Sequence, residues 1–262
     1  MNQETGSRRP LLLRSACGPR AAFAALMAVL TAVACSDSTG TGNRVELQGP
    51  AVTIGNGTAR TVVVKQGNTV TSIGVRLTAG VLAGLPPATP GTAWDLALPS
   101  GVSVPPWDHV SIDWNPQGHP PPGIYTVPHF DIHFYMITPS EQAAIQGGPD
   151  TTTVAPSFIP KDYASQVMAV PMMGVHWADT LAAEYHGQPF DHTLIYGFYR
   201  GKMVFIEPMV TQAFLQGGAD FTGTVKRPAA YQKPGLYPRS YSIRHDAAAN
   251  TITVSLDSLS GG

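Results

Sequence analysis

The chain has 262 residues, with 16 Lys and Arg against 17 Asp and Glu, eight histidines, and charged residues at only 13%. A formal net charge of −1 without clustered Lys and Arg excludes nucleic acid as a partner, and excludes recognition of an anionic membrane surface by charge. Two cysteines, Cys17 and Cys35, exclude a disulfide-dense scaffold, and the abundance of Gly (27) and Pro (24) suits a β-rich chain with many turns.

The first elements are targeting signals. Arg8, Arg9, Arg14 and Arg20 precede the apolar run AAFAALMAVLTAVA (21–34), which is too short to span a bilayer and is flanked like a signal peptide. The run ends in AVAC, which resembles a bacterial lipobox and makes Cys35 the expected lipidated residue; the alternative is an ordinary signal peptide with Cys35 incidental. Ser36 follows, where an Asp would retain the protein at an inner membrane. The expected location is therefore the bacterial envelope, at the outer membrane or cell surface. SRRPLL (7–12) resembles a twin-arginine signal, so Sec and twin-arginine export both stay open. Processing before Cys35 takes the 16 basic and 17 acidic residues to 12 and 16. It leaves no free thiol, and so no disulfide, thiolate metal site or cysteine nucleophile. SDSTGTGNR (36–44) reads as a flexible tether.

Strand signals then come in pairs. RTVVVKQGNTVTSIGVRL (60–77) is two β-branched runs around Gly67-Asn68, a hairpin pattern. LTAGVLAG (77–84) follows as a short helix, opened by a Thr cap and closed by Gly. HTLIYGFYRGKMVFIEPM (192–209) and VTQAFLQG (210–217) repeat that order around Arg200-Gly201, with Glu207 ending the strand and Pro208 opening the helix. PGIYTVPHFDIH (122–133) lines up with PGLYPRSYSIRH (234–245), and RSYSIRHD with NTITVSLDS predicts a closing hairpin. The expected fold class is α+β: two related hairpin–helix–strand halves from an internal duplication, mostly antiparallel sheet with short helices. The halves cover 45–137 and 191–262. A Pro-rich insert, 138–190, separates them; in it TPSEQAAIQGG predicts a helix opened by Thr138 or Ser140, PKDYASQVM a second helix, and MMGVHWAD a loop.

Seven of the eight histidines lie between 109 and 192. In VPHFDIHFYMI (127–137) strand alternation puts Phe130, Ile132 and Phe134 on one face and His129, Asp131, His133 and Tyr135 on the other. Residues two apart on a strand are roughly 6.6 Å apart and residues four apart roughly 13 Å, so His129 and His133 cannot share one ion on a regular strand. Asp131 pairs with either. The candidate metal ligands are His129, Asp131, His133 and His176, with Glu207, His186 and His192 as additional candidates; imidazole with carboxylate suits a divalent metal such as zinc, or Mn²⁺ or Fe²⁺. A zincin helix is excluded because Phe130 stands where its Glu belongs. DWNPQGHPPPG (113–123) is a Pro/Gly loop carrying Asp113, Trp114 and His119, read as a turn or as a pocket lining. The competing reading of the whole set is a hydrogen-bonded network that holds a loop or a second sheet in place.

The blocks DHVSIDWNPQGHPPPGIYTVPHFDIHFYMI (108–137), MGVHWAD (173–179) and HTLIYGFYRGKMVFIEPMVTQAFL (192–215) resemble those of an uncharacterised bacterial family of secreted or lipid-anchored proteins, a domain of unknown function. The resemblance covers most of 58–220. It implies an extracytoplasmic α+β protein and carries over no catalytic residues. The functional expectation is a lipid-anchored protein of binding or structural type that holds a metal through the His/Asp cluster. The alternatives are a metal-dependent hydrolase or oxygenase using the same cluster, and a homo-oligomeric assembly protein joined through exposed hairpin edges.

Overall fold

The computed structural model describes residues 43–87 and 92–262. Cys35, the apolar run before it and most of the tether lie outside these residues. Among the described residues no helix is long and apolar enough to cross a membrane.

The first strands are β1 (Arg44–Gln48), β2 (Val52–Ile54), β3 (Gly57–Gln66), β4 (Thr69–Thr78), β5 (Thr92–Ala97), β6 (His109–Asn115) and β7 (His129–Tyr135). The middle of the chain gives β8 (Gly148–Pro149), β9 (Tyr163–Val170), β10 (Gly174–Asp179), β11 (His192–Tyr199) and β12 (Lys202–Thr211). The C-terminal part gives β13 (Phe221–Thr224), β14 (Leu236–Tyr237), β15 (Ser240–Asp246), β16 (Thr251–Asp257) and β17 (Ser260–Gly261). Among the described residues helix is confined to α1 (Pro139–Ala143), α2 (Gln212–Gly217) and three short 3₁₀ turns.

Two antiparallel sheets carry the fold. One has the order β1-β3-β4-β16-β15-β13, with β2 beside β3; the other runs β5-β6-β7-β12-β11-β10-β9-β8. β14 and β17 make a separate pair. Ile73, Val75, Val254 and Ile243 from the first sheet and Ile112, Phe130, Ile132, Phe134 and Ile206 from the second form one buried cluster, the two-sheet solution for strands with one apolar face. A second, smaller cluster of Tyr125, Tyr135, Phe190, Ile195, Phe205 and Met209 covers the opposite face of the second sheet.

The expected α+β class is corrected: the protein is mostly antiparallel β. The two expected halves share both sheets. The β3–β4 hairpin pairs through β4 with β16, and the β11–β12 hairpin pairs through β12 with β7. Each sheet thus joins a hairpin from one half to the returning strands of the other. The two hairpins, the closing hairpin β15–β16 and the Thr138 cap of α1 stand as expected, the cap as a reciprocal capping box with Glu141. The LTAGVLAG helix is only a 3₁₀ turn, Ala79–Leu82.

Three segments differ. PKDYASQVM is strand β9 and MMGVHWAD contains strand β10, so 138–190 extends the second sheet. β9 is an outer strand whose further neighbour, β8, pairs with it at only two residues, and its Val167, Met168 and Val170 are exposed. Strand β12 runs straight through Pro208 to Thr211. Pairing with β7 lapses between Ile206 and Met209, where Pro208 has no N–H to give. Glu207 is therefore not at a helix N-terminus but in mid-strand, 1% exposed.

Candidate functional site

The polar row predicted on β7 exists, and it faces away from the core between the sheets. Phe130, Ile132 and Phe134 enter that core, packing on the other sheet. His129, Asp131 and His133 lie under the second apolar cluster, fully or almost fully buried. Neighbouring strands extend the row: β6 sets Asn115 opposite His129, Asp113 opposite Asp131 and Ser111 opposite His133. Glu207 joins from β12, and His176 from β10.

Among the described residues these side chains converge as two triads, His119–His129–Asp131 and His133–His176–Glu207, with the ligand atoms of each within 4.8 Å of one another. In the first, His119 Nε2 is 3.2 Å from Asp131 Oδ2 and His129 Nε2 is 3.1 Å from Asp131 Oδ1. Both imidazoles are oriented from behind: Nδ1 of His119 lies 2.7 Å from the Pro120 carbonyl and Nδ1 of His129 lies 2.7 Å from the Val127 carbonyl. A carbonyl only accepts, so each Nδ1 donates, and His119 Nε2 is hydrogen-bonded to Asp131 Oδ2. Asn115 Nδ2 donates to Asp131 Oδ2 at 2.7 Å. His129 Nε2 and Asp131 Oδ1, both buried, make no hydrogen bond.

In the second triad, His133 Nε2 and His176 Nε2 lie 3.5 and 3.6 Å from Glu207 Oε2. Asp113 Oδ2 sits 3.1 Å from the other His133 nitrogen, Nδ1. Phe205 meets the rings of His133 and His176 at 4.7 and 5.2 Å, and Tyr135 stacks on His133. Phe205 lies directly over Gly197, where a Cβ would collide with its ring.

Burial and mutual charge set the protonation states. Burial opposes ionisation of Asp131, but His119 and His129 hold its carboxyl well below the usual range. Burial works against the proton on His119, yet Asp131 raises that imidazole to about 9. His133 reaches about 9 in the same way, burial being outweighed by Glu207 and Asp113. Burial pushes Glu207 up to about 8 against the pull of His133, and burial together with His133 pushes His176 down to about 3. One wall of aromatic rings thus encloses a carboxylate held ionised and a second one held near neutrality.

Of the residues singled out from sequence, His129 and Asp131 fall in one triad and His133 and His176 in the other, with Glu207. His192 belongs to neither: it lies against Phe221 and Phe214, with Nδ1 3.3 Å from the Tyr241 hydroxyl. His119 was legible only as part of a Pro/Gly loop, since a loop has no periodicity to say where a side chain points.

The family model described as TTHB210-like: Hypothetical protein TTHB210 matches residues 65–114, from the end of β3 to near the end of β6. No curated protein and no solved structure matches the chain. The matched segment contains Asp113 and stops short of both triads.

Proposed function

We propose that the chain is an extracytoplasmic, lipid-anchored binding protein that holds a divalent transition-metal ion, zinc in type, through His119, His129 and Asp131. The observation that carries this reading is the orientation of the two imidazoles. Their Nδ1–H groups are committed to backbone carbonyls, the usual outer-shell support of a metal-bound histidine. Their Nε2 atoms are left beside a carboxylate, and two of the three ligand atoms lack any hydrogen bond. Ligands at about 2.0–2.2 Å from a tetrahedral ion lie roughly 3.4 Å from one another, and His129 Nε2 lies 3.1 Å from Asp131 Oδ1. A mere hydrogen-bonded network would satisfy these atoms without an ion.

The test is elemental analysis of the untagged protein purified in the presence of zinc. At least one zinc per chain is expected, with the share at this triad lost in Asp131→Asn and in His129→Gln. Protein that stays metal-free, and whose unfolding temperature is the same with zinc and with chelator, rejects the reading. A second reading, a metal-dependent hydrolase, draws on the three-ligand count. Three ligands leave a fourth position for water, and the His119 side chain, 32% exposed, puts that position near solvent. Ester hydrolysis that rises with zinc loading and disappears in Asp131→Asn would select it.

A further inference from the structure

We infer that His133, His176 and Glu207 form a second divalent-cation site beside the first, so that the chain binds two ions. The inference rests on the metal-binding reading above and adds to it a site with its own ligands. Glu207 is 1% exposed and His133 is fully buried, yet both carboxylate oxygens of Glu207 and Nε2 of His133 make no hydrogen bond. Three orphaned polar atoms in one apolar pocket are costly, on the order of 1–3 kcal/mol for each buried group left unsatisfied. A cation at the centre of the triad would engage Glu207 and His133 Nε2 at once.

The geometry fits an ion better than a direct ion pair. His133 Nε2 and His176 Nε2 both approach the same oxygen, Glu207 Oε2, at 3.5 and 3.6 Å, too far for good hydrogen bonds. These are close to the roughly 3.4 Å separating neighbouring ligands around tetrahedral zinc. Asp113 at 3.1 Å from His133 Nδ1 supplies the carboxylate–histidine pairing that orients a metal-bound ring. Ser111 Oγ donates in turn to Asp113, at 3.5 Å. Asp131 and His133 are two residues apart on one face of β7, so the two centres are side by side, roughly one strand repeat of 6.6 Å apart. The ligand set, two imidazoles and a carboxylate with no thiolate, is borderline in softness and selects zinc-type ions over Ca²⁺ or Mg²⁺.

The experiment is calorimetric titration of the untagged, chelator-stripped chain with Zn²⁺, repeated with Co²⁺ to read the visible absorption of four-coordinate cobalt. Two equivalents are expected for the unaltered chain. His176→Gln and Glu207→Gln should each bind one, as should Asp131→Asn, with the cobalt absorption falling by about half in every case. His176 is partly exposed, at 27%, so its variant tests the site even if Glu207→Gln fails to fold, and far-UV circular dichroism checks both. One equivalent in the unaltered chain, lost in Asp131→Asn and kept in His176→Gln, overturns the second site and leaves the first reading standing. One equivalent with the opposite pattern keeps this site and overturns the first. No binding overturns both.

Discussion

At the scale of single residues, the row on β7 concentrates imidazole and carboxylate where water is excluded, and its proton inventory then controls stability. A group that binds its proton more tightly in the folded chain than in the unfolded one stabilises the fold only while protonated. His119 and His133 rise from an ordinary 6.5 to about 9 on folding, and Glu207 rises from 4.5 to about 8. The two histidines contribute fully below pH 6.5 and lose that contribution as pH climbs through 9; Glu207 loses its own by about pH 8. The metal-stripped protein should therefore unfold at a lower temperature at pH 9 than at pH 6.5, by scanning calorimetry. Zinc should reverse the trend, because ligands must shed their protons to bind it. A stripped protein that is equally stable at both values contradicts the protonation states derived for the row. Strand alternation sufficed to put His129, Asp131 and His133 on one side, and strand spacing alone sent the two histidines to different centres. The strand pattern of 192–209 reaches Glu207, but a following proline suggests a helix start where β12 in fact continues to Thr211. His119 was out of reach, because the turn of a Pro/Gly loop carries no repeat that fixes direction.

At the scale of elements, hairpins and caps were legible because their chemistry is local. Thr211 was marked by position, ahead of an apolar pair and a Gly, and it does accept the Phe214 N–H at the start of α2. Thr211→Ala should cost about 1 kcal/mol in denaturant unfolding; a change within error would mean that the two-percent-exposed Thr211 is held by packing alone. β9 and β10 are not legible in the sequence, because a register shift between them, with Val167 at a positive φ of 53°, breaks the period-two alternation that marks a strand. In the β11–β12 hairpin Gly197 stands opposite Phe205, and its missing side chain admits the Phe205 ring beside His133 and His176. Gly197→Ala must displace that ring, so a loss of about 1–3 kcal/mol is expected, together with weaker Zn²⁺ binding in His133, His176 and Glu207 and little change at His119, His129 and Asp131. Equal weakening at both triads would show that Phe205 acts on the sheet as a whole.

At the scale of the whole molecule, composition pointed to β-rich structure and local patterns named most strands, but not which strands would pair. The two expected halves share both sheets. Pairing of β4 with β16 and of β7 with β12 is a tertiary choice between equally suitable partners, and no short stretch of sequence records it. The interleaved sheets should melt as one unit, giving coincident transitions by circular dichroism and tryptophan fluorescence; two resolved transitions would argue for separable halves. Val167, Met168, Val170 and Met172, exposed along and just after β9, offer the apolar edge through which copies could associate. Gel filtration of the unaltered chain against Met168→Lys would show a fall in apparent size if that edge joins copies, and no shift if it does not.

The interleaving also constrains biosynthesis. β4 cannot acquire its inner neighbour until residues near 257 have been made, and closing such a long loop is slow compared with forming a hairpin. While the chain is still emerging, the β3–β4 hairpin has an open flank and its apolar side uncovered. A cell producing this protein must shield that incomplete surface until the last strands arrive, and a ribosome that stopped before β16 would release a chain with nothing to close it.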